Sequence, residues 1–132
     1  MLDLSERTVL IVDDEPQMLR LLRRFLTPYR CNVLEANAVG EALRLLSADH
    51  VMIDLLLTDM VLPDGSGTDL GDQARGLRPG LSLAYMSGYS REILGARGAG
   101  IDDALFLRKP FERDKLEALL SAALPPGPSA TP

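Results

Sequence analysis

Several apolar runs in this chain end on charged residues, and this pattern constrains the fold more than any other feature of the sequence. The run at residues 53–59 is mostly apolar and ends at Asp59, and the run at residues 9–12 leads directly into Asp13 and Asp14. Apolar runs of this length are typical of buried strands in a parallel sheet. Because the carboxyl ends of such strands meet at one edge of an open α/β sheet, we expect the three carboxylates to lie close together.

A serine and a lysine follow two later apolar runs in the same way. The run at residues 81–86 leads to Ser87, and the run at residues 104–107 leads to Lys109 and Pro110. Clustered carboxylates repel one another unless a cation lies between them. A divalent metal ion held by carboxylates, with a lysine opposite, is typical of a site that handles phosphoryl groups. The sequence therefore predicts such a site at this edge of the sheet.

Strand-like runs alternate with amphipathic stretches along the chain, which favours βαβ units and a parallel sheet. Asn37 is a suitable N-cap for the second helix, and residues 63–67 indicate a turn-rich loop. Residues 91–100 contain three glycines, each of which weakens a helix by about 1 kcal/mol relative to alanine. We expect a short or loosely held helix there. The folded domain is predicted at residues 7–124, and the proline-rich residues 125–132 are predicted to form a disordered tail or linker.

Composition narrows the class of protein. The chain has 132 residues and a net charge of −5, which argues against a nucleic-acid-binding surface. Its single cysteine, Cys31, cannot form an internal disulfide. No apolar stretch is long enough to cross a membrane, so we expect a cytoplasmic protein without a membrane partner.

Taken together and in this order, these residues resemble the receiver domain of two-component response regulators. The residues that carry the resemblance are Asp13-Asp14, Asp59, Ser87-Gly88 and Lys109-Pro110-Phe111. The resemblance implies a flavodoxin-like, doubly wound α/β fold. Its five parallel strands would have the order 2-1-3-4-5, and five helices would cover the two faces of the sheet.

The resemblance also implies roles for these residues. Asp59 would be the nucleophile that accepts a phosphoryl group from a phosphohistidine on a histidine kinase or a histidine phosphotransfer protein. Lys109 would offset the negative charge on the phosphoryl oxygens. Mg²⁺ would be the cofactor, bound by Asp13, Asp14, Asp59 and the backbone carbonyl of Val61.

Two further residues would transmit the signal. Ser87 resembles the switch hydroxyl that bonds to a phosphoryl oxygen, and Phe106 resembles the coupled switch aromatic, which is a tyrosine in many relatives. The region 91–124 would meet an unknown downstream protein. Lys109-Pro110 is a candidate cis peptide, because proline makes that isomer accessible.

Other functions remain open from the residues alone. An aspartyl-phosphate phosphatase of the dehalogenase type needs a second aspartate at the position of Val61, which counts against that class. A flavodoxin-like cofactor site is disfavoured because residues 13–15 are all acidic and would repel phosphate. An interaction module without phosphorylation is the main alternative. We expect a switch that turns over no outside substrate, either a stand-alone response regulator or the receiver of a hybrid histidine kinase.

Overall fold

A parallel sheet forms the centre of the computed structural model, which describes residues 2–125. Within those residues, five parallel strands form this sheet and two short strands form an antiparallel pair. The sheet strands are β1 (Thr8–Val12), β2 (Asn32–Ala36), β3 (Leu55–Asp59), β6 (Ser82–Ser87) and β7 (Phe106–Arg108), and the short pair is β4 (Val61–Leu62) with β5 (Gly65–Ser66). The order in the sheet is β2-β1-β3-β6-β7, and every pairing in it is parallel. Counted among the five sheet strands alone, this is the predicted order 2-1-3-4-5, which is confirmed.

Helices cover both faces of the sheet, as the fold class requires. They are α1 (Pro16–Leu26), α2 (Val39–Leu46), α3 (Gly67–Leu77), α4 (Arg91–Leu94) and α5 (Arg113–Ala123), with 3₁₀ turns at Thr27–Tyr29, Gly95–Arg97 and Asp103–Leu105. The helix α4 has only four residues. The short helix expected from the glycines in this segment is therefore what the chain forms.

Two hydrophobic cores lie on opposite faces of the sheet. Val9 and Ile11 of β1 pack in the core that contains α1 and α5, whereas Leu10 and Val12 pack in the core that contains α2 and α3. All four side chains are fully buried. Burial on both faces explains why the strand sequence is continuously apolar and does not alternate with polar residues.

Both ends of the described chain pack into the core that contains α1 and α5. Leu4 is buried against the core of α1 and α5, and its amide donates to the carbonyl of Tyr29 at 2.7 Å. Leu124 is buried in the same core. Of the predicted tail at residues 125–132, all but Pro125 lies outside the described residues.

The predicted cap of α2 is wrong. Ala38, not Asn37, is the N-cap residue, and it has no side-chain acceptor for the first amides of the helix. The backbone amides of Val39 and Gly40 instead donate to the carboxylate of Asp64, at 2.7 and 2.9 Å. A residue from a distant loop therefore takes the place of the local cap.

Two other parts of the chain differ from the prediction made from the sequence. The strand β3 begins at Leu55, and the carboxylate of Asp54 just before it accepts the amide of Thr8 at 2.8 Å. Residues 63–67 form more than a loop, since they contain β5 and the first residue of α3. Among residues 2–125, no helix combines the length and apolarity that crossing a bilayer requires.

Candidate functional site

The carboxyl ends of the sheet strands bring three carboxylates together. Asp13 and Asp14 follow β1, and Asp59 is the last residue of the neighbouring strand β3. Each of the three offers a carboxylate oxygen, and these oxygens lie within 4.8 Å of one another. Asp13 is fully buried, Asp59 nearly so, and Asp14 is exposed. The cluster is therefore open to solvent on the side of Asp14.

Lys109 lies between two of these carboxylates. Its Nζ is 2.6 Å from Oδ2 of Asp13 and 3.2 Å from Oδ2 of Asp59. The other oxygen of Asp13 accepts the backbone amide of Glu15 at 2.9 Å, which ties the carboxylate to the start of α1. The peptide bond between Lys109 and Pro110 is cis, as predicted.

The pKa values of Asp59 and Lys109 are shifted by burial and by the charges around them. Burial raises the pKa of Asp59 above its ordinary value, and the charge of Asp13 raises it further, while Lys109 and the amide of Val61 lower it without cancelling the rise. For Lys109, burial lowers the pKa, but the hydrogen bond and charge of Asp13 and the charge of Asp59 raise it above its ordinary value. Lys109 is therefore held in its charged form by the same carboxylates that it compensates.

The donor set fits a magnesium ion. The three carboxylates face one ammonium group, so two negative charges at the cluster lack a compensating cation. Mg²⁺ prefers oxygen ligands and keeps several waters, which suits a site that is open beside Asp14. Val61 begins β4 two residues after Asp59, so its backbone directly follows the cluster in the chain.

Ser87 lies at the same edge of the sheet, at the end of β6. Its side chain is buried, and its Oγ accepts the backbone amide of Tyr89 at 2.9 Å. Its carbonyl accepts the backbone amide of Lys109 at 2.7 Å, so the serine and the lysine are fixed relative to each other. Ser87 is therefore held at this edge of the sheet through both its hydroxyl and its carbonyl.

Phe106 lies on the edge strand of the sheet, three residues before Lys109. It begins β7 and pairs in register with Tyr85 of β6. Its half-buried ring packs against a small hydrophobic cluster formed by Met60, Tyr85 and Ile101. Met60 directly follows Asp59, so this cluster connects β3 to β7. The switch roles of Ser87 and Phe106 remain predictions.

One residue that supports the site was missed by the sequence analysis. A Cβ atom on Gly67 would lie 2.1 Å from the carbonyl oxygen of Asp59 and 3.0 Å from the Cα of Met60. The amide of Gly67 also donates to the carbonyl of Met60 at 2.9 Å. The absence of a side chain allows α3 to begin directly against the backbone at the end of β3. In the sequence this glycine is indistinguishable from a turn residue.

Comparison with known proteins agrees with this geometry. A family model described as "response regulator receiver domain" matches residues 9–121. The chain is 37% identical over 123 residues to the response regulator protein PilR of Pseudomonas aeruginosa, covering 92% of this chain and 27% of that protein. It is 39% identical over 118 residues to the transcriptional regulatory protein KdpE of Mycobacterium tuberculosis, covering 88% and 50%. The chain thus spans about a quarter to a half of the length of these curated relatives.

Solved structures show the same fold. The response regulator receiver domain protein (CheY-like) from Methanospirillum hungatei JF-1 has a TM-score of 0.74 at 29% identity, with 88% of this chain and 91% of that chain covered. A response regulator receiver domain protein from Clostridium thermocellum has a TM-score of 0.75 at 26% identity, with 89% and 94% covered.

Proposed function

This chain belongs to the response regulator receiver domain family, and we propose that it accepts a phosphoryl group on Asp59 from a phosphohistidine donor. The family places it in two-component signalling. The observation that supports the proposal is the contact of Lys109 with both Asp13 and Asp59 inside a carboxylate cluster. The donor would be a histidine kinase or a histidine phosphotransfer protein.

In the proposed reaction, a carboxylate oxygen of Asp59 attacks the phosphorus of the phosphohistidine. The new O–P bond forms as the P–N bond breaks, and the imidazole leaves with that electron pair. Lys109 contacts the same carboxylate, so its ammonium group can offset the charge on the phosphoryl oxygens as they arrive. Ser87 would donate its hydroxyl to one of these oxygens once it releases the amide of Tyr89.

Magnesium would be held by Asp13, Asp14, Asp59 and the backbone carbonyl of Val61. When bound, it would supply positive charge at the phosphoryl oxygens and complete the charge balance of the cluster. The positions of the carboxylates would determine where the ion binds. Asp13 is fixed by two hydrogen bonds, while Asp14 is exposed to solvent and accessible to an entering ion.

The partner that reads the switch would bind the region 91–124, in the cytoplasm. This region contains the four-residue helix α4, and Ile93 on that helix is 70% exposed. A short helix with an exposed apolar residue can rearrange at low free-energy cost and offers surface to a protein. The chain would itself turn over no outside substrate, and it could act alone or as the receiver of a hybrid histidine kinase.

The direct test is the intact mass of the chain after incubation with acetyl phosphate and Mg²⁺. We expect one added phosphoryl group in the wild type, and none in Asp59→Asn or in the presence of EDTA. A phosphohistidine protein should serve as an alternative donor. The proposal would be overturned if neither donor adds a phosphoryl group to the wild type, or if Asp59→Asn gains one equally well.

The phosphorylated state should decay slowly because of two bulky residues beside the site. Val61 is 49% exposed and Tyr89 is 56% exposed, and neither has an acid or amide that could orient an attacking water. We expect Val61→Asn and Tyr89→Glu to shorten the half-life of the acyl phosphate roughly tenfold, less than full general base catalysis provides. The half-life is measured by following the loss of phosphorylated mass after the donor is removed. Unchanged half-lives in both variants would contradict this prediction.

A further inference from the structure

Asp64 connects the loop after the acceptor strand to a neighbouring helix. It lies between β4 and β5, and its Oδ1 and Oδ2 accept the backbone amides of Val39 and Gly40 at 2.7 and 2.9 Å. These amides belong to the first turn of α2, whose own N-cap residue offers no side-chain bond. The hydrogen bonds from Gly40 and Val39 lower the pKa of the Asp64 carboxyl group below its ordinary value. The carboxylate is therefore the cap of this helix end.

The segment that Asp64 anchors is held together as one unit. Val61 pairs with Ser66 and Leu62 pairs with Gly65, which closes the β4–β5 hairpin on itself. Leu62 is buried in the core that contains α2. The hairpin is thus attached to α2 by one buried side chain and by the two hydrogen bonds of Asp64.

The first residue of the same hairpin, Val61, lies close to Asp59 in the chain and is part of the proposed phosphorylation site. Val61 is two residues after Asp59 and begins the hairpin, and Gly67, directly after the hairpin, donates its amide to the carbonyl of Met60 at 2.9 Å. The carbonyl of Val61 is the predicted backbone ligand of the metal. A shift of the hairpin away from α2 would therefore displace the backbone carbonyl that the resemblance to receiver domains assigns to the metal site.

We propose that Asp64 is a positioning residue for the acceptor site: by capping α2 it fixes the β4–β5 hairpin and thereby the backbone of Val61 beside Asp59. This inference rests on the proposed function, since it concerns the same site. Asp64 touches neither the phosphoryl group nor the metal in this scheme. Its effect passes through the hairpin.

The opposite end of α2 provides a matched control. Nε of Arg78 donates to the carbonyl of Leu46 at 3.0 Å, and its Nη2 donates to the carbonyl of Ala48 at 2.9 Å. Arg78 therefore stabilises the C-terminal end of the helix that Asp64 stabilises at its N-terminal end. In a parallel α/β sheet that end of the helix lies at the edge opposite the carboxyl ends of the strands. Loss of Arg78 weakens α2 without touching the hairpin.

The experiment compares Asp64→Ala, Asp64→Asn and Arg78→Ala with the wild-type chain. Thermal unfolding gives the stability, isothermal titration gives the Kd for Mg²⁺, and intact mass gives the rate of phosphorylation by acetyl phosphate. We expect both alanine variants to unfold at lower temperature. Only Asp64→Ala should raise the Kd for Mg²⁺, by about tenfold, the lower end of the range for residues that orient metal ligands. Asp64→Asn should lie between Asp64→Ala and the wild type in both properties, because its one amide oxygen can accept one of the two backbone amides while its amide nitrogen is a donor and cannot accept the other.

Two results would overturn the positioning role. One is an Asp64→Ala variant whose Mg²⁺ affinity and phosphorylation rate match those of Arg78→Ala, since Asp64 would then act on stability alone. The other is a wild-type chain that binds no Mg²⁺. A wild type that binds Mg²⁺ but accepts no phosphoryl group would refute the proposed function, and the Mg²⁺ affinities of the variants would still decide the role of Asp64.

Discussion

The Gly67→Ala variant is expected to unfold at a lower denaturant concentration than the wild type and to lose most of its phosphorylation by acetyl phosphate. The added Cβ would lie 2.1 Å from the carbonyl oxygen of Asp59 and 3.0 Å from the Cα of Met60. Both atoms belong to the backbone and cannot rotate away, so α3 or the end of β3 must shift. We expect a cost of roughly 3 kcal/mol, the upper end for an overpacked contact. The shift also moves the Asp59 carboxylate relative to Lys109.

Gly76→Ala is the matched control for this prediction. Gly76 lies in the same helix, and a Cβ there would meet no atom within 4 Å. We expect this substitution to stabilise the protein by roughly 0.5–1 kcal/mol, because alanine loses less conformational entropy in a helix than glycine. The prediction would be contradicted if Gly67→Ala matched the wild type in stability and phosphorylation. That result would show that the backbone of Asp59 tolerates a Cβ atom at this position.

The fold and the grouping of Asp13, Asp59 and Lys109 could be predicted because each depends on a pattern of neighbouring residues in the sequence. The strands β1 and β3 are buried on both faces, so apart from one threonine each they are apolar up to the carboxylate at their end. Parallel pairing then brings the residues at those ends to one edge, which is why the sequence alone was enough to group Asp13, Asp59 and Lys109. No knowledge of side-chain packing was needed for this step.

The contacts that support the site could not be predicted in this way. Asn37 is a good cap by local rules, but the acceptor of the first α2 amides is Asp64, about 25 residues away in sequence. The sequence near α2 carries no sign of that bond. Gly67 posed the same difficulty, since a glycine in a turn and a glycine pressed against another strand have the same local sequence.

The balance of charge at the site also depends on how the chain is folded. The sequence shows that carboxylates and a lysine are present, but not how deeply they are buried. Burial raises the pKa of Asp59 most, the charge of Asp13 raises it further, and Lys109 lowers it, so the net rise depends on how the chain buries this carboxylate. The sign of this shift leads to a prediction about Lys109.

Lys109→Met should destabilise the protein near neutral pH by about 3 kcal/mol, the lower end for a broken buried ion pair. The side chain of Asp13 is fully buried and that of Asp59 is 13% exposed, so both would lose the cation that compensates them. Phosphorylation by acetyl phosphate should slow by roughly 100-fold, as expected when one group that stabilises transition-state charge is removed. Denaturant unfolding and intact mass measure the two effects.

The loss of stability should depend on pH. Removal of Lys109 takes away the largest influence that lowers the pKa of Asp59, so its folded-state pKa rises further above the ordinary value of 3.8. A carboxyl group with a raised pKa contributes stability that is fully present below its unfolded pKa and is lost as the pH rises through its folded pKa. The difference between variant and wild type should therefore be small near the ordinary value and widen toward neutral pH. Lys109 itself has a raised pKa, so it stays charged over this whole range.

Lys115→Met separates this effect from a general change in net charge. Lys115 is exposed on α5, and its loss removes the same charge without uncovering a carboxylate of the cluster. We expect its stability and phosphorylation to match those of the wild type. Mg²⁺ should raise the unfolding midpoint of Lys109→Met more than that of the wild type, because the metal ion adds the positive charge that the carboxylates have lost. A Lys109→Met variant whose stability difference is the same at acid and neutral pH would show that Lys109 does not act by compensating buried charge.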